Sequence, residues 1–434
     1  MGNIVAIVGR PNVGKSTLFN RLIGQRQAII DDESGVTRDR QYGSSEWNGK
    51  KFTVIDTGGF VKSSDDIFEK AIKSQVEIAI AEAAVIVFMV DVSTGMTDLD
   101  DDVADLLRKS EKDVILVVNK VDNNQRLLEA NEFWSLGIDE TFFISSLTGS
   151  GTGDFLDAVT DKIIEAEPLD TKIPKFAIIG QPNVGKSSLV NVLLGEDRNI
   201  VTDIAGTTRD SIHSHYKKFD KEFLLIDTAG IRRKTKVYED LEFYSVMRAI
   251  KAMDEADVIL LMIEASTGLE AQDMSLFRLA IKRNKGIVLL VNKWDLEDKE
   301  SNTMRDKEKA LRHRLAPFND IPILFISVLE KQRVFKAVEA GLKVHENRNK
   351  RLKTSELNNT MLAAIEKFPP PNHKGHFAKI KYVTQLPTYY PAFAFFCNNP
   401  KYIKENYKHY LENQLRKNYD FTGVPIGLFF RKKS

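Results

Sequence analysis

Gly9-Arg10-Pro11-Asn12-Val13-Gly14-Lys15-Ser16-Thr17, directly after the apolar run Ile4 to Val8, decides how this chain is read. An apolar strand that ends in G-x-x-x-x-G-K-[ST] and continues as a helix is a phosphate-binding loop. Its glycines let backbone N–H groups curl around phosphates with no Cβ in the way. Lys15 reaches the β and γ phosphates, and the Ser16 hydroxyl is placed to ligate Mg²⁺. The loop occurs twice: Gly180-Gln181-Pro182-Asn183-Val184-Gly185-Lys186-Ser187-Ser188 follows the run Phe176 to Ile179, at an offset of 171 residues. Two such loops in register make a chance match negligible.

The repeat extends outward. At the same offset Gly35-Val36-Thr37-Arg38-Asp39 matches Gly206-Thr207-Thr208-Arg209-Asp210, and Asp56-Thr57-Gly58-Gly59 matches Asp227-Thr228-Ala229-Gly230. At an offset of 173, Asn119-Lys120-Val121-Asp122 matches Asn292-Lys293-Trp294-Asp295. Solenoid repeats run at about 20 to 50 residues, so a period this long means a duplicated domain. In each copy short apolar runs (Phe52 to Ile55, Val85 to Val90, Val114 to Val118; Phe223 to Ile226, Val258 to Ile263, Ile287 to Val291) alternate with helical patterns such as Asp66 to Glu82 and Leu241 to Glu255. That alternation implies an α/β domain of three layers, with a mostly parallel sheet covered on both faces. Domains are expected at 1–167 and 175–347, joined by the two-proline linker 168–174, with a third at 348–434. In the third, Leu357, Met361 and Ile365 form a helical stripe that stops at Pro369-Pro370-Pro371. Strand-like Ala378 to Gln385 and Ala392 to Cys397, a helix from Tyr402 to Lys417 and a strand around Ile426 to Phe430 complete an αββαβ pattern.

Three constellations carry the chemistry. Asp56 and Asp227, each ending a strand, would hold Mg²⁺ through water, while the N–H groups of Gly59 and Gly230 meet a γ-phosphate. Thr37 and Thr208 are placed to bind Mg²⁺ and the γ-phosphate when a triphosphate is present. Metal ligands are therefore expected at Ser16, Thr37 and Asp56, and at Ser187, Thr208 and Asp227. Asn119-Lys120-x-Asp122 and Asn292-Lys293-x-Asp295 decide the base. A carboxylate accepts from guanine N1–H and its N2 amine together, whereas adenine would leave it unpaired. GTP or GDP is the expected ligand of both copies, with Lys15, Thr37, Gly59, Lys186, Thr208 and Gly230 as the candidates for catalysis. Ser145-Ser146-Leu147 and Ser327-Val328-Leu329 stand where a last base-contacting loop belongs.

Composition bounds the rest. The chain has 434 residues, 42% hydrophobic and 28% charged, and no apolar run approaches the length of a bilayer span. Met1 to Ala6 carry no basic leader and run straight into the first motif, so no targeting signal is expected. A single cysteine, Cys397, fits a reducing compartment and a cytoplasmic location. The net charge of +1 hides an asymmetry: from Arg348 onward sixteen Lys and Arg face five acids, so a module of about +11 sits on a body of about −10. Such a module faces a polyanion or presents a well-solvated surface. Tyr382, Tyr389, Tyr390, Tyr402, Tyr407 and Tyr410 interleave with its lysines, an arrangement suited to stacking on bases.

Tandem domains with G-[RQ]-P-N-V-G-K-S-[ST] loops and a small basic C-terminal domain resemble the bacterial ribosome-associated EngA (Der) family, the double-Era-like GTPases. The resemblance covers essentially the whole chain. It implies a KH-like last domain and a cytoplasmic, monomeric assembly factor for the large ribosomal subunit and its rRNA, with no DNA or membrane partner. The family's usual Ser-Ala in the last base loop is Ser145-Ser146 and Ser327-Val328 here, and the second copy lacks the glycine that follows. No G-x-x-G clamp occurs after Lys353, so the C-terminal domain either grips rRNA by charge or docks on the GTPase domains. Phe60 and Ile231 stand where Ras-like switches carry a water-orienting glutamine. Similar GTPases use K⁺ held by the loop asparagine, here Asn12 and Asn183; the alternative is that each asparagine merely shapes its turn. Arg232, Arg233, Lys234 and Lys236, after the second D-x-x-G, either read RNA conditionally or form a solvated loop. The competing function is a GTPase coupled to tRNA or other RNA modification, which wants a catalytic cysteine or a folate-type domain.

Overall fold

The computed structural model describes residues 3–24, 42–60, 65–163, 173–195, 214–219, 221–226, 242–297, 302–371 and 377–432. They form two compact units. One is built on the first copy together with Glu242–Glu255; the other holds the rest of the second copy and the C-terminal module.

In the first copy the strands are β1 (Ile4–Val8), β2 (Tyr42–Trp47), β3 (Lys50–Asp56), β4 (Val85–Asp91), β5 (Asp113–Asn119) and β6 (Thr141–Phe143). Their order is β2-β3-β1-β4-β5-β6, parallel except for the β2–β3 hairpin. Helices α1 (Lys15–Gly24), α2 (Asp65–Glu82), α3 (Asp98–Arg108), α4 (Asn124–Glu129) and α5 (Thr152–Lys162) connect them. Phe19 and Leu22 of α1 and Phe155 and Val159 of α5 bury one face with Val5, Val54, Val87 and Val117. Ile72, Val76 and Ala79 of α2 and Val103 and Leu107 of α3 are buried as well. With both faces covered, central strands read as unbroken apolar runs, as the sequence predicts. No strand is expected over Tyr42–Trp47, because a Tyr-Gly-Ser-Ser-Glu-Trp edge strand has no apolar run to betray it.

The second copy repeats this with β7 (Lys175–Ile179), β8 (Ser214–Lys218), β9 (Lys221–Leu225), β10 (Val258–Glu264), β11 (Gly286–Asn292) and β12 (Ile323–Phe325), ordered β12-β11-β10-β7-β9-β8. Its helices are α6 (Lys186–Leu194), α7 (Glu242–Glu255), α8 (Ala271–Lys282), α9 (Thr303–Leu315) and α10 (Val334–Asn349). In each copy the phosphate loop leaves the C-terminal end of a strand that lies between two neighbours reached in opposite directions, where open α/β sheets bind ligands. Of the expected linker, 168–172 lies outside the described residues; Pro174 accepts from Leu224 N at 2.8 Å and so already belongs to the sheet.

The C-terminal module comprises α11 (Thr354–Lys367), β13 (Ile380–Gln385), β14 (Ala392–Cys397), α12 (Glu405–Asn418) and β15 (Gly427–Lys432). The sheet order is β13-β14-β15, antiparallel then parallel. Leu357, Met361 and Ile365 are buried, as their four-residue spacing predicts. The expected boundary at 347/348 falls inside the last turn of α10. Around it the module is fastened to the second sheet: Ile287 N donates to Gly423 O, and Gly423 N to Asp320 O, both at 2.8 Å. Gly423 has φ 80°, and a Cβ there would lie 2.4 Å from Val344 Cγ2, so the contact demands glycine. Buried Arg348 reaches Asp257 at 3.0 Å, and Asn347 Nδ2 donates to Thr422 O at 3.1 Å. Of the two roles open for this module, docking on a GTPase copy is present.

Candidate functional site

Each phosphate loop is shaped by close approaches that only glycine permits. Gly9 (φ 144°) and Gly180 (φ 152°) pass so near the adjacent strand that a Cβ would fall 2.3 Å from Met89 O and 2.1 Å from Met262 O. At Gly14 (φ 103°) and Gly185 (φ 104°) it would fall 2.3 Å from Asn119 Nδ2 and 2.4 Å from Asn292 Nδ2. Helices α1 and α6 start at the lysine, so their first N–H groups, which have no intrahelical partner, border the loop and favour an anion. Lys15 Nζ donates to Gly9 O (2.8 Å) and Arg10 O (2.7 Å), and Lys186 Nζ to Gly180 O (2.9 Å) and Gln181 O (2.6 Å). Burial pushes both ammonium groups down to about 8, partly offset by Asp56 in the first copy and Asp273 in the second. A lysine ammonium gathered in by loop carbonyls at the start of a helix, inside a glycine-shaped loop, is a setting suited to an anion. Asn12 and Asn183 are exposed and take left-handed φ values of 65° and 63°, which asparagine tolerates better than most residues. Pro11 and Pro182 are exposed beside them, and Val13 and Val184 are buried.

Asp56 ends β3 and is buried. Its Oδ2 accepts from Ser16 Oγ at 2.5 Å and its Oδ1 from Gly58 N at 2.9 Å. Thr57 Oγ1 ties the turn to Ile7 O at 2.9 Å, and the turn runs Thr57–Phe60 through Gly59. A hydroxyl and a carboxylate joined beside the phosphate loop are hard oxygen donors, the set Mg²⁺ takes together with water and phosphate. Ser187, the second residue of α6, stands at the equivalent place. Thr37, Thr208, Asp227, Thr228, Ala229, Gly230 and Ile231 lie outside the described residues, as do Arg232, Arg233, Lys234 and Lys236.

The base motif's asparagine is a clamp. Asn119 Nδ2 donates to Val13 O at 2.8 Å, while its Oδ1 accepts from Ser146 N at 2.9 Å. Asn292 does the same with Val184 O (2.8 Å) and Val328 N (3.1 Å). One side chain thus ties the phosphate loop to the last base loop, whatever residue follows the serine. Lys120 and Lys293 take left-handed φ values and pair with strand-end acids: Lys120 Nζ with Asp91, Lys293 Nζ with Glu264 at 2.6 Å. Burial alone would raise Asp91, but hydrogen bonds from Lys120 and Ser93 outweigh it and hold the carboxyl below its usual range. Val121 and Trp294 are buried, leaving the exposed Asp122 and half-exposed Asp295 at the sheet edge. Asp122 already takes Arg126 Nη1 at 2.9 Å. A hollow of about 320 Å³ lined by Thr17, Arg21, Gly24, Ser146 and Leu147 opens beside the first base loop.

Several fasteners escape sequence reading. Arg10 pairs with Asp100 at 3.1 Å, and Asp100 also closes a capping box with Thr97. In the second copy Gln181 Nε2 reaches Glu270 (2.9 Å) and Asp273 (3.0 Å) instead. Burial raises Asp100, and pushes Asp273 to about 6. Arg21 Nε donates to Ser146 O at 2.6 Å; its counterpart is the apolar Val192. The capping pattern T-x-x-D was the available signal for Asp100; none marked Arg21. Among the tyrosines, Tyr407 and Tyr410 donate to Phe368 O (2.7 Å) and Ala364 O (2.9 Å) and are structural, whereas Tyr382 and Tyr389 are exposed.

The family model described as "50S ribosome-binding GTPase" matches residues 4–120 and again 175–293, and that for the "KH-domain-like of EngA bacterial GTPase enzymes, C-terminal" matches 351–431. The chain is 60% identical over 434 residues to the GTPase Der of Christiangramia forsetii, covering all of both chains. It is 58% identical to that of Flavobacterium johnsoniae over 99% of each chain, and 54% identical to that of Bacteroides thetaiotaomicron over the full length of both. With two GTPase sheets, a KH-like module and full-length likeness, the chain is a GTP-hydrolysing enzyme that belongs to the EngA (Der) family.

Proposed function

We propose that the protein holds guanine nucleotides at two sites and acts as a GTP-driven assembly factor on the large ribosomal subunit, in the cytoplasm and as a monomer. The observation that carries the reading is the cradle formed twice: a glycine-shaped loop, a lysine whose ammonium desolvation holds at about 8, and an asparagine clamp that couples phosphate loop to base loop. In this reading residues 9–16 and 180–187 wrap the phosphates, and Asp122 and Asp295 take the guanine edge. Ser16, Thr37 and Asp56, and their counterparts Ser187, Thr208 and Asp227, hold Mg²⁺. When bound, that ion offsets charge on the β and γ phosphate oxygens. Lys15 and Lys186 exchange their carbonyl partners for phosphate oxygens, and Gly59 and Gly230 offer N–H groups to the γ-phosphate. Phe60 and Ile231 leave the attacking water without a side-chain guide. Asn12 and Asn183, whose exposed amides are free to face a cation, are assigned to K⁺, whose charge would stabilise the transition state as an arginine finger does elsewhere.

The RNA-modification alternative loses its nucleophile. Cys397 is fully buried in β14, out of reach of an RNA base, and burial pushes its thiol up, away from the nucleophilic thiolate. Domains at 1–167, 175–347 and 348–434 remain the working division, with α10 shared across the last boundary.

Sedimentation of extract with GTP, GDP or a non-hydrolysable analogue tests the ribosomal part: the protein should travel with large-subunit particles in the triphosphate state. Equal distribution under all three conditions would overturn it. Hydrolysis should be faster in K⁺ than in Na⁺ at fixed ionic strength; equal rates, with Asn12→Ala and Asn183→Ala both silent, would remove the cation assignment.

A further inference from the structure

The C-terminal sheet has one packed face and one open face. Val383, Phe393, Phe395 and Cys397 are buried in the core with α11 and α12. Strand alternation turns Tyr382, Ala394, Phe396, Phe429 and Arg431 to the other side. Register places Tyr382, Phe396 and Arg431 in one row across the three strands, and Ala394 beside Phe429 in the next. The Tyr382 and Phe396 rings are 5.9 Å apart, and Tyr382 and Phe429 are 42% and 41% exposed. Gly427 extends the stripe. A Cβ there would lie 2.9 Å from Tyr390 Cε2 and 3.1 Å from Phe429 Cε2, so the glycine lets these two rings meet above the strand.

The charge around the stripe is one-sided. None of the residues in β13, β14 and β15 is acidic, while Lys381 and Arg431 are basic and exposed. Exposed rings with a basic rim and no carboxylate suit a polyanion that carries flat apolar groups. Double-stranded RNA offers the charge, but its bases are already stacked.

We propose that this face is a stacking platform for two or three unpaired bases of single-stranded RNA. Tyr382, Phe396 and Phe429 supply the ring surfaces, and Lys381 and Arg431 take the phosphates. The inference deepens the ribosomal reading and rests on it for RNA as the physiological polyanion.

The test uses the full chain saturated with GDP and a fluorescent ten-nucleotide oligouridylate, with binding read by anisotropy. Tyr382→Ala and Phe429→Ala should each weaken binding about tenfold or more and leave its salt dependence unchanged, whereas Phe429→Trp should retain affinity. Arg431→Gln should instead reduce the slope of log affinity against log salt by nearly one. A duplex of equal length should be insensitive to the aromatic variants. Unchanged melting of Tyr382→Ala, at an exposed position, separates loss of contact from loss of fold. Oligouridylate bound equally by wild type and both alanine variants overturns the platform. If such variants still travel with ribosomal particles, the ribosomal reading survives that failure.

Discussion

The two GTPase copies share a skeleton but not its fasteners. In both, asparagine clamps Asn119 and Asn292 join the same two loops, and burial pushes the ammonium groups of lysines 15 and 186 down to the same value of about 8. Around them the first copy uses charge, with Arg10 on Asp100, Arg21 on the last base loop and Arg126 on Asp122. At the first two of these positions the second copy has Gln181 and Val192. The glycines, lysine and clamping asparagine are thus the same in both copies, while the side chains that brace the loops differ. The copies should bind the same ligand but differ in rigidity and in how their stability responds to pH.

The largest effect comes from the constant part. Lys15→Ala and Lys186→Ala should each empty one site, lowering nucleotide affinity there by about 100-fold or more, because a phosphate loses its buried cation. Calorimetry with GDP should show a stoichiometry of two falling to one in either variant. A single site in the wild type, or either variant retaining two, would break the equivalence of the copies. The same lysines set a pH dependence. Burial holds each at about 8, and a bound phosphate would raise that value. Binding therefore takes up protons above pH 8, and affinity should fall as pH rises from 8 toward 10, equally at both sites.

Base selectivity should respond next. Asp122→Asn and Asp295→Asn each reverse one donor and acceptor, so preference should move from guanine to xanthine nucleotides by about 100-fold at the altered site. The first copy should lose more order in doing so, since the uncharged amide of the Asp122→Asn variant could no longer form an ion pair with Arg126. Competition of labelled GDP by xanthosine diphosphate, measured in each variant, checks both statements.

These contrasts show where sequence reading succeeds. Strands buried on both faces are unbroken apolar runs, and phosphate chemistry requires glycine and lysine at fixed spacing, so Ile4–Val8 and Gly9 to Ser16 could be read directly. The edge strands Tyr42–Trp47 and Ser214–Lys218 satisfy half their backbone elsewhere and carry no such pattern. Asp91, Glu264 and Arg21 act through partners 29 or 125 positions away, a distance that only the fold closes. Fastening of the C-terminal module through Gly423 and Arg348 was equally invisible. Removing residues from about 348 onward would strip Asp257 of Arg348 and uncover Val344, so binding tests need the full chain with point substitutions.

A smaller effect separates Asp100 from Asp273. Both are raised by burial, but Asp100 faces a guanidinium and Asp273 an amide, and Asp273 stands at about 6 against an ordinary 3.8. Between about pH 4 and 6 the folded state therefore binds more protons than the unfolded state. The stability that Asp273 contributes is greatest below that window and declines as pH rises through it. Gln181→Arg should pull Asp273 down, flatten the decline and stabilise the second copy at pH 7 by about 1 kcal/mol. Amide exchange of β10, corrected for intrinsic rates and followed from pH 5 to 8, reads this locally. An unchanged slope would mean that the arginine does not reach Asp273.

The least effect belongs to the turn after the last base loop. In the first copy Gly149 and Gly151 carry its positive φ values of 93° and 71°; in the second Lys331 and Arg333 are held at 55° and 60°. A left-handed residue with a Cβ costs about 1–2 kcal/mol, and glycine returns roughly half of that through its larger unfolded-state entropy. Arg333 also donates to Phe325 O at 3.3 Å, whereas Lys331 is exposed and its N–H bonds Val328 O at 3.3 Å through the backbone, so Lys331 is the cleaner site. Lys331→Gly should stabilise the second copy by less than about 1 kcal/mol. GDP affinity should not change, because Val328 N still meets Asn292. The exchange is not reciprocal: a Cβ at Gly149 would lie 2.5 Å from Arg21 Nη1 and push that side chain off the base loop it braces. Loss of stability in Lys331→Gly, measured by the same exchange protection, would show that the lysine side chain holds its turn by contact, and that the second copy replaced glycine with a brace of its own.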